Sequence, residues 1–178
     1  MTGFRFEEGE VLLFDKPLYW TSFDLVNKVK MSIRYNCGLK KLKVGHAGTL
    51  DPLATGLMIV CTGKATKRIE EFRDLEKEYV ARIRFGQTTP SFDLESSVDR
   101  EYPYEHIDGE MIRKALEGFL GDQMQEPPLF SAKFVDGKRA YELARKKVEK
   151  RLDKVKVTFH ELELVSFNGK EAEVRIRC

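Results

Sequence analysis

A chain of 178 residues with 31 Lys and Arg against 29 Asp and Glu carries a net charge of only +2, and 42% of it is hydrophobic. That suits one folded domain with a sizeable core. It excludes a disordered chain, and no run nears the roughly 18 apolar residues of a membrane helix.

The first ten residues hold no apolar core, so no secretory leader is expected. Cys37, Cys61 and Cys178 are scattered and include no Cys-x-x-Cys pair. Neither a zinc site nor a disulfide framework is expected, which fits a reducing cytoplasm. Val11–Phe14 is a short apolar run that reads as a strand, ended by Asp15-Lys16-Pro17. Thr21 with Asp24 three residues on forms a capping box. The helix it opens runs to about Tyr35, with Leu25, Val26, Val29 and Ile33 on one face.

Residues 45–63 are rich in small and turn-forming types, with Gly45, Gly48 and Gly56 placed for positive φ or close backbone approach. His46 and Asp51 are the two side chains there able to do chemistry. Pro52 pushes Asp51 away from the α region. Leu57–Cys61 is an apolar strand that anchors this loop. Residues 66–75 read as a helix with Ile69 and Phe72 inward. Lys67 and Arg68 would then oppose its dipole, and a bound anion would account for them.

Alternation over Lys77–Gly86 predicts a half-buried strand, with Tyr79, Ala81, Ile83 and Phe85 on one face. Thr88–Tyr104 is a polar loop containing Asp93. Asp108 caps a helix over about 109–120, which Glu126-Pro127-Pro128 is expected to break. Asp136-Gly137 signals a hairpin, and Ala140 to Val148 a basic helix. Val155–Phe167 and Glu171–Cys178 read as two strands joined at Asn168-Gly169, expected as a type I′ turn. The last strand shows Ala172, Val174, Ile176 and Cys178 on one face and meets no turn residue, so the polypeptide is expected to continue. Helices and an antiparallel hairpin together give an α+β fold with a mixed sheet.

Charge is segregated along the chain. Lys138–Lys156 holds nine basic and three acidic residues, and Asp93–Glu110 seven acidic and one basic. A second basic cluster is Lys28, Lys30, Arg34, Lys40, Lys41 and Lys43. Such segregation suits a polyanion bound on one side, or plain solvated faces.

The run Gly45-His46-Ala47-Gly48-Thr49-Leu50-Asp51-Pro52-Leu53-Ala54-Thr55-Gly56 resembles the signature of the TruB family of tRNA pseudouridine synthases. Three further blocks agree: the opening Val-Leu-Leu-Phe-Asp-Lys-Pro followed by Thr-Ser, the Lys77-Glu78-Tyr79 block, and Pro127-Pro128 through Ser131-Ala132-Lys133 to Tyr141 and Arg145. The resemblance spans essentially the whole chain. It implies a largely antiparallel sheet with a helical RNA-clamping insertion, and one catalytic domain over residues 1–178 that lacks its C-terminal part.

It also implies roles. Asp51 is the nucleophile, His46 wedges into the stack vacated by a flipped base, and Tyr79 stacks on the flipped uracil. Asp93 and Lys133 fall on the RNA side, and in this context the anion expected beside Lys67 is RNA phosphate. Lys16, Gly45, Gly48, Pro52 and Gly56 are structural. Thr88-Thr89-Pro90-Ser91-Phe92-Asp93 keeps the family's Asp but departs at Pro90 and Phe92. An arginine of a Lys-Gly-x-Tyr-x-Arg motif, expected after Cys178, pairs with the catalytic Asp, so residues 1–178 alone are expected to be weakly active or inactive.

The implied activity is isomerisation of uridine to pseudouridine in the T loop of tRNA, at position 55. A carboxylate can serve as nucleophile without a cofactor or metal, and a uridine inside a folded loop must be flipped out to react. The implied partner is the tRNA T-arm stem-loop, bound by a cytoplasmic monomer with no membrane contact. Two other readings stand beside it: a catalytically incomplete protein that binds or refolds tRNA, and a guide-RNA-dependent pseudouridylase of the dyskerin type. A phosphate-loop NTPase is excluded, because Gly-x-x-x-x-Gly-Lys-Ser/Thr does not occur.

Overall fold

The computed structural model describes residues 3–126, 134–135, 138–139 and 153–178. Its contacts divide the chain into two units, residues 1–75 and 76–178.

In the first unit, β1 (Val11–Lys16) leads into α1 (Ser22–Cys37), then β2 (Val44–His46) and β3 (Gly56–Thr62). β3 is the middle strand, antiparallel to β1 on one side and β2 on the other. Met58 and Val60 pack with side chains of α1, and Met58, Val60 and Cys61 are all buried. The capping box that opens α1 is formed: Thr21 Oγ1 accepts from the Asp24 N–H, and the Asp24 carboxylate accepts from the Thr21 N–H. Gly38 closes the helix at φ +70, the left-handed cap that glycine favours. Leu25, Val29 and Ile33 pack with Leu42, Met58 and Val60 into one core. Each such side chain contributes about 1.5–3 kcal/mol when fully buried.

The expected helix over 66–75 is divided. Gly63–Arg68 is a 3-10 helix, and only Ile69–Arg73 is α-helical, as α2. Lys67 and Arg68 therefore lie in the last turn of the first piece, where cations suit the dipole. Arg68 is also engaged locally, with Glu71 at 3.0 Å and over the Phe72 ring. Arg68 is also the N-cap residue of α2, so the two helical pieces act on these cations in opposite senses.

The second unit holds β4 (Glu78–Arg84), β5 (Gln87–Thr88), β6 (Arg100–Glu101), α3 (Gly109–Glu117) and β7 (Gly121–Gln125). β8 (Phe134–Val135), β9 (Lys138–Arg139), β10 (Val155–Phe159), β11 (Glu161–Phe167) and β12 (Glu171–Arg177) follow. Every strand pairing among the described residues is antiparallel, and the α+β class holds.

β12 is the middle of the β11-β12-β4 sheet. Ala172 and Val174 are buried on its inner face with Ile112 of α3, as the alternation predicted. The outer face carries charges. Arg84 pairs with Glu171, Arg82 with Glu173, Arg175 with Glu163 and Glu78, and Arg177 with Glu161 and Glu76.

Three expectations change here. The strand read over 155–167 breaks at His160, so β10 pairs with β7 and β11 with β12. The polar loop over 88–104 contributes a short pair, β5 with β6. In the β11–β12 turn, positive φ falls on Gly169 (+91) and not on Asn168. That is the pattern of a turn with Gly first, not the type I′ turn, which needs positive φ twice. Asn168 serves through its side chain, whose Oδ1 accepts from the Lys170 and Glu171 N–H groups. β8 and β9 pair antiparallel, and the expected Asp136-Gly137 turn lies outside the described residues. The expected basic helix over 140–148 lies outside the described residues.

Candidate active-site loop

Residues 47–55 connect β2 to β3, so the loop is the connection of a hairpin. Asp51 sits on it, exposed, with Pro52 next in a turn closed by the Ala54 N–H donating to the Asp51 carbonyl at 3.0 Å. Gly48 (φ +103) and Gly56 (φ +129) take conformations that side-chain-bearing residues rarely adopt. Gly45 allows close approach: a Cβ there would stand 2.8 Å from Ile69 Cδ1.

Two anchors hold the loop on either side of Asp51. The Ser22 hydroxyl, buried at the start of α1, donates to the Leu50 carbonyl and accepts from the Leu50 N–H, both at 2.9 Å. The Tyr19 N–H donates to the Pro52 carbonyl at 2.7 Å. A turn held at the residues before and after its carboxylate presents that carboxylate in a fixed direction. His46, the last residue of β2, is tied to the same loop through Nδ1 and the Gly48 carbonyl.

Beneath these contacts lies Lys16, with no exposed surface. Its Nζ donates to the carbonyls of Pro17 (3.0 Å) and Trp20 (2.6 Å), which fixes the 17–20 segment that carries Tyr19. Burial pulls the Lys16 pKa below its ordinary value, and the carboxylates of Asp51 and Asp24 oppose that pull. Lys16 therefore both shapes the loop and places a positive charge in the field of Asp51.

Two other expected site residues are in the second unit. Tyr79 lies near the start of β4, opposite Ile176, and the residue is 42% exposed. Burial pushes its hydroxyl pKa up. Asp93 is engaged within its own loop: Oδ1 accepts from the Ser91 hydroxyl and from the Glu95 N–H. Lys67 is exposed in the first unit, and Lys133 lies outside the described residues. Among the described residues, no group of three or more His, Cys, Asp or Glu side chains is placed to hold a metal.

The sequence pattern does not disclose two parts of the site. Ser22 reads as the neighbour of a cap, and the one available signal is that Thr21 already fills the capping role. Tyr19 stands at φ +67, where a bulky residue is an outlier.

A model of the TruB family pseudouridylate synthase N-terminal domain matches residues 34–178. The chain is 57% identical over 174 residues to the tRNA pseudouridine synthase B of Phocaeicola vulgatus, which covers 98% of this chain and 74% of that protein. Identity to the protein of the same name from Flavobacterium johnsoniae is 48% over 179 residues, 100% of this chain and 78% of the relative. A solved Cbf5-Nop10-Gar1 complex contains a chain that matches 97% of this one at a TM-score of 0.65 and 24% identity, using 40% of its own length. A structure of an H/ACA RNP bound to a substrate RNA containing 2'-deoxyuridine gives a TM-score of 0.61 at 20% identity, over 97% of this chain and 38% of that one. At these identities the structural likeness is one of fold.

Proposed function

The chain belongs to the TruB family of pseudouridylate synthases, and from that premise we propose that it isomerises uridine 55 in the T loop of tRNA with Asp51 as the nucleophile. The reaction is the conversion of uridine to pseudouridine in tRNA. The bond between ribose C1′ and uracil N1 breaks, C1′ joins C5, the proton on C5 leaves and N1 takes up a proton. Atoms balance without an oxidant or a second substrate. A carboxylate that attacks either ring C6 or C1′ holds one fragment while the base turns.

The observation that supports this most is the double anchoring of Asp51. Ser22 holds the residue before it and Tyr19 the residue after it, over the buried charge of Lys16. Reach into an RNA loop requires an exposed carboxylate, and attack requires a directed one. His46 is the group that occupies the place of the flipped base, and Tyr79 supplies the ring on which the uracil stacks. Lys67 and Lys133 contact phosphate. Asp93 enters through the shape of the loop it holds together. The two units act as one catalytic domain on a T-arm stem-loop, as a cytoplasmic monomer that needs no cofactor.

Asp51→Asn separates this reading from that of a tRNA-binding protein without catalysis. The variant is expected to abolish pseudouridine at position 55 while the Kd for a T-arm hairpin stays within about threefold of wild type. Pseudouridine formation that survives the substitution would defeat the assignment of Asp51. Modification only in the presence of a guide RNA would favour the dyskerin-type alternative.

A further inference from the structure

Two residues other than glycine have positive φ among the described residues, Tyr19 (+67) and Phe92 (+61). Both are aromatic, and both rings face solvent, 74% and 80% exposed. A bulky residue in the left-handed region is strained, and glycine would hold the same backbone without that strain. Neither ring is packed into a core that could offset the strain. A strained, unburied aromatic points to work done outside the fold.

The surroundings of the two rings differ. Phe92 directly precedes Asp93–Glu110, a stretch with seven acidic residues and one basic and an unfavourable place for RNA phosphate. Tyr19 lines a surface hollow of about 480 Å3 with Trp20, Asp24, Asn27, Lys28 and Met31. The acid in that hollow, Asp24, is engaged by Thr21, while Lys28 forms no ion pair among the described residues. The backbone of Tyr19 is itself bonded to Pro52, next to the proposed nucleophile.

We propose that Tyr19 is a substrate-positioning residue: its ring, with the charge of Lys28 beside it, stacks on an unpaired base next to the target uridine in the T loop. Flipping one nucleotide leaves its neighbours unstacked, and splayed RNA bases are taken up by aromatic rings. The Tyr19–Pro52 hydrogen bond ties that platform to the Asp51 turn, so a base held on Tyr19 sets the register of the strand against the carboxylate. The strain at Tyr19 is the cost of turning a ring outward at this point. This inference rests on the tRNA reading above and adds a residue that positions the substrate.

The test uses three variants of the full chain and a T-arm hairpin RNA. Tyr19→Gly keeps the left-handed backbone and its N–H and deletes the ring. Its melting temperature should equal or exceed that of wild type. Its Kd for the hairpin should rise at least about fivefold, the lower end for loss of one stacked base. Tyr19→Phe keeps the ring and should bind within twofold of wild type. Phe92→Gly relieves the same strain in the acidic loop and should also bind within twofold. The proposal is overturned if Tyr19→Gly binds as tightly as wild type, if its affinity falls only together with its melting temperature, or if Phe92→Gly weakens binding equally. Pseudouridine formation by wild type against Asp51→Asn tests the underlying reading separately, because the Kd comparison does not depend on turnover.

Discussion

Two surfaces of the molecule, the basic residues 28–43 and the outer face of the β4-β12-β11 sheet, use charge in opposite ways. In residues 1–75, Lys28, Lys30, Arg34, Lys40, Lys41 and Lys43 are exposed and make no ion pair among the described residues. In residues 76–178, Arg82, Arg84, Arg175 and Arg177 all face glutamates across the β4-β12-β11 sheet. Exposed pairs of that kind contribute little stability. They do neutralise each other, which removes that sheet face as a strong attractor for phosphate. The six cations of residues 28–43 remain available to RNA, and they lie in the unit that carries Asp51. Buried polar groups differ as well. The first unit places Lys16 and Ser22 inside to hold a loop, and the inner face of β12 is apolar. A net charge of +2 conceals this difference, because it sums two regions with different electrostatic roles.

Substitutions can break this contrast. The largest effect is expected at Lys16. Lys16→Met fills a similar volume but leaves the Pro17 and Trp20 carbonyls without their donor, at a cost of roughly 2 kcal/mol or more by denaturant unfolding. It should also release the 17–20 segment, so activity should fall further than stability alone explains. Next is the triple variant Lys28→Ala, Lys30→Ala, Arg34→Ala. It should weaken hairpin binding and reduce the slope of log K against log salt by up to about 2, since each single-strand phosphate that a cation neutralises adds about 0.7 to that slope. An unchanged slope would show that these cations serve only as a solvated face.

Thr21→Ala should destabilise the protein by about 1 kcal/mol at neutral pH through loss of the helix cap. Its pH dependence follows from Asp24. Hydrogen bonds from the Thr21 side chain and then its backbone hold the Asp24 pKa below the ordinary 3.8. The stability linked to that carboxylate is therefore present above 3.8 and lost as pH falls through the lower folded value. The gap between wild type and Thr21→Ala should narrow in acid, read from urea midpoints. The smallest effect is expected at Arg84→Ala, which removes an exposed pair with Glu171 and should cost under about 1 kcal/mol and leave RNA affinity unchanged. A marked loss of affinity there would mean that the paired arginines also bind RNA.

Elements with a complete local signal were legible from residues alone. The Thr21–Asp24 box, the Asp108 cap of α3, the apolar β3 and the alternating β12 all formed where their patterns placed them. Elements made by a partner were not. Gly121–Gln125 has no apolar alternation and becomes a strand because β10 lies beside it, with Asp122 accepting from Thr158 and pairing with Lys156. The break at His160 was hidden because alternation continues on both sides, although the two halves join different sheets. In the site, Asp51 and the glycines were visible as types in a pattern. The anchoring by Ser22 was not, because a contact over 28 residues leaves no mark in local spacing. The left-handed backbone of Tyr19 was equally hidden, since a tyrosine gives no sign of a conformation that glycine usually marks.

The Ser22–Leu50 contact also bears on the order of events in folding. β2 and β3 can close locally as a hairpin, whereas the clamp on Leu50 requires the first turn of α1, far away in the chain. Closing that larger loop costs more entropy and comes later. A hairpin formed first would carry Asp51 on an untethered connection, and the carboxylate would gain its direction only when α1 docks. The amide of Leu50 should then exchange with solvent at the rate at which the N-terminus of α1 opens, and not at the faster rate of a surface turn.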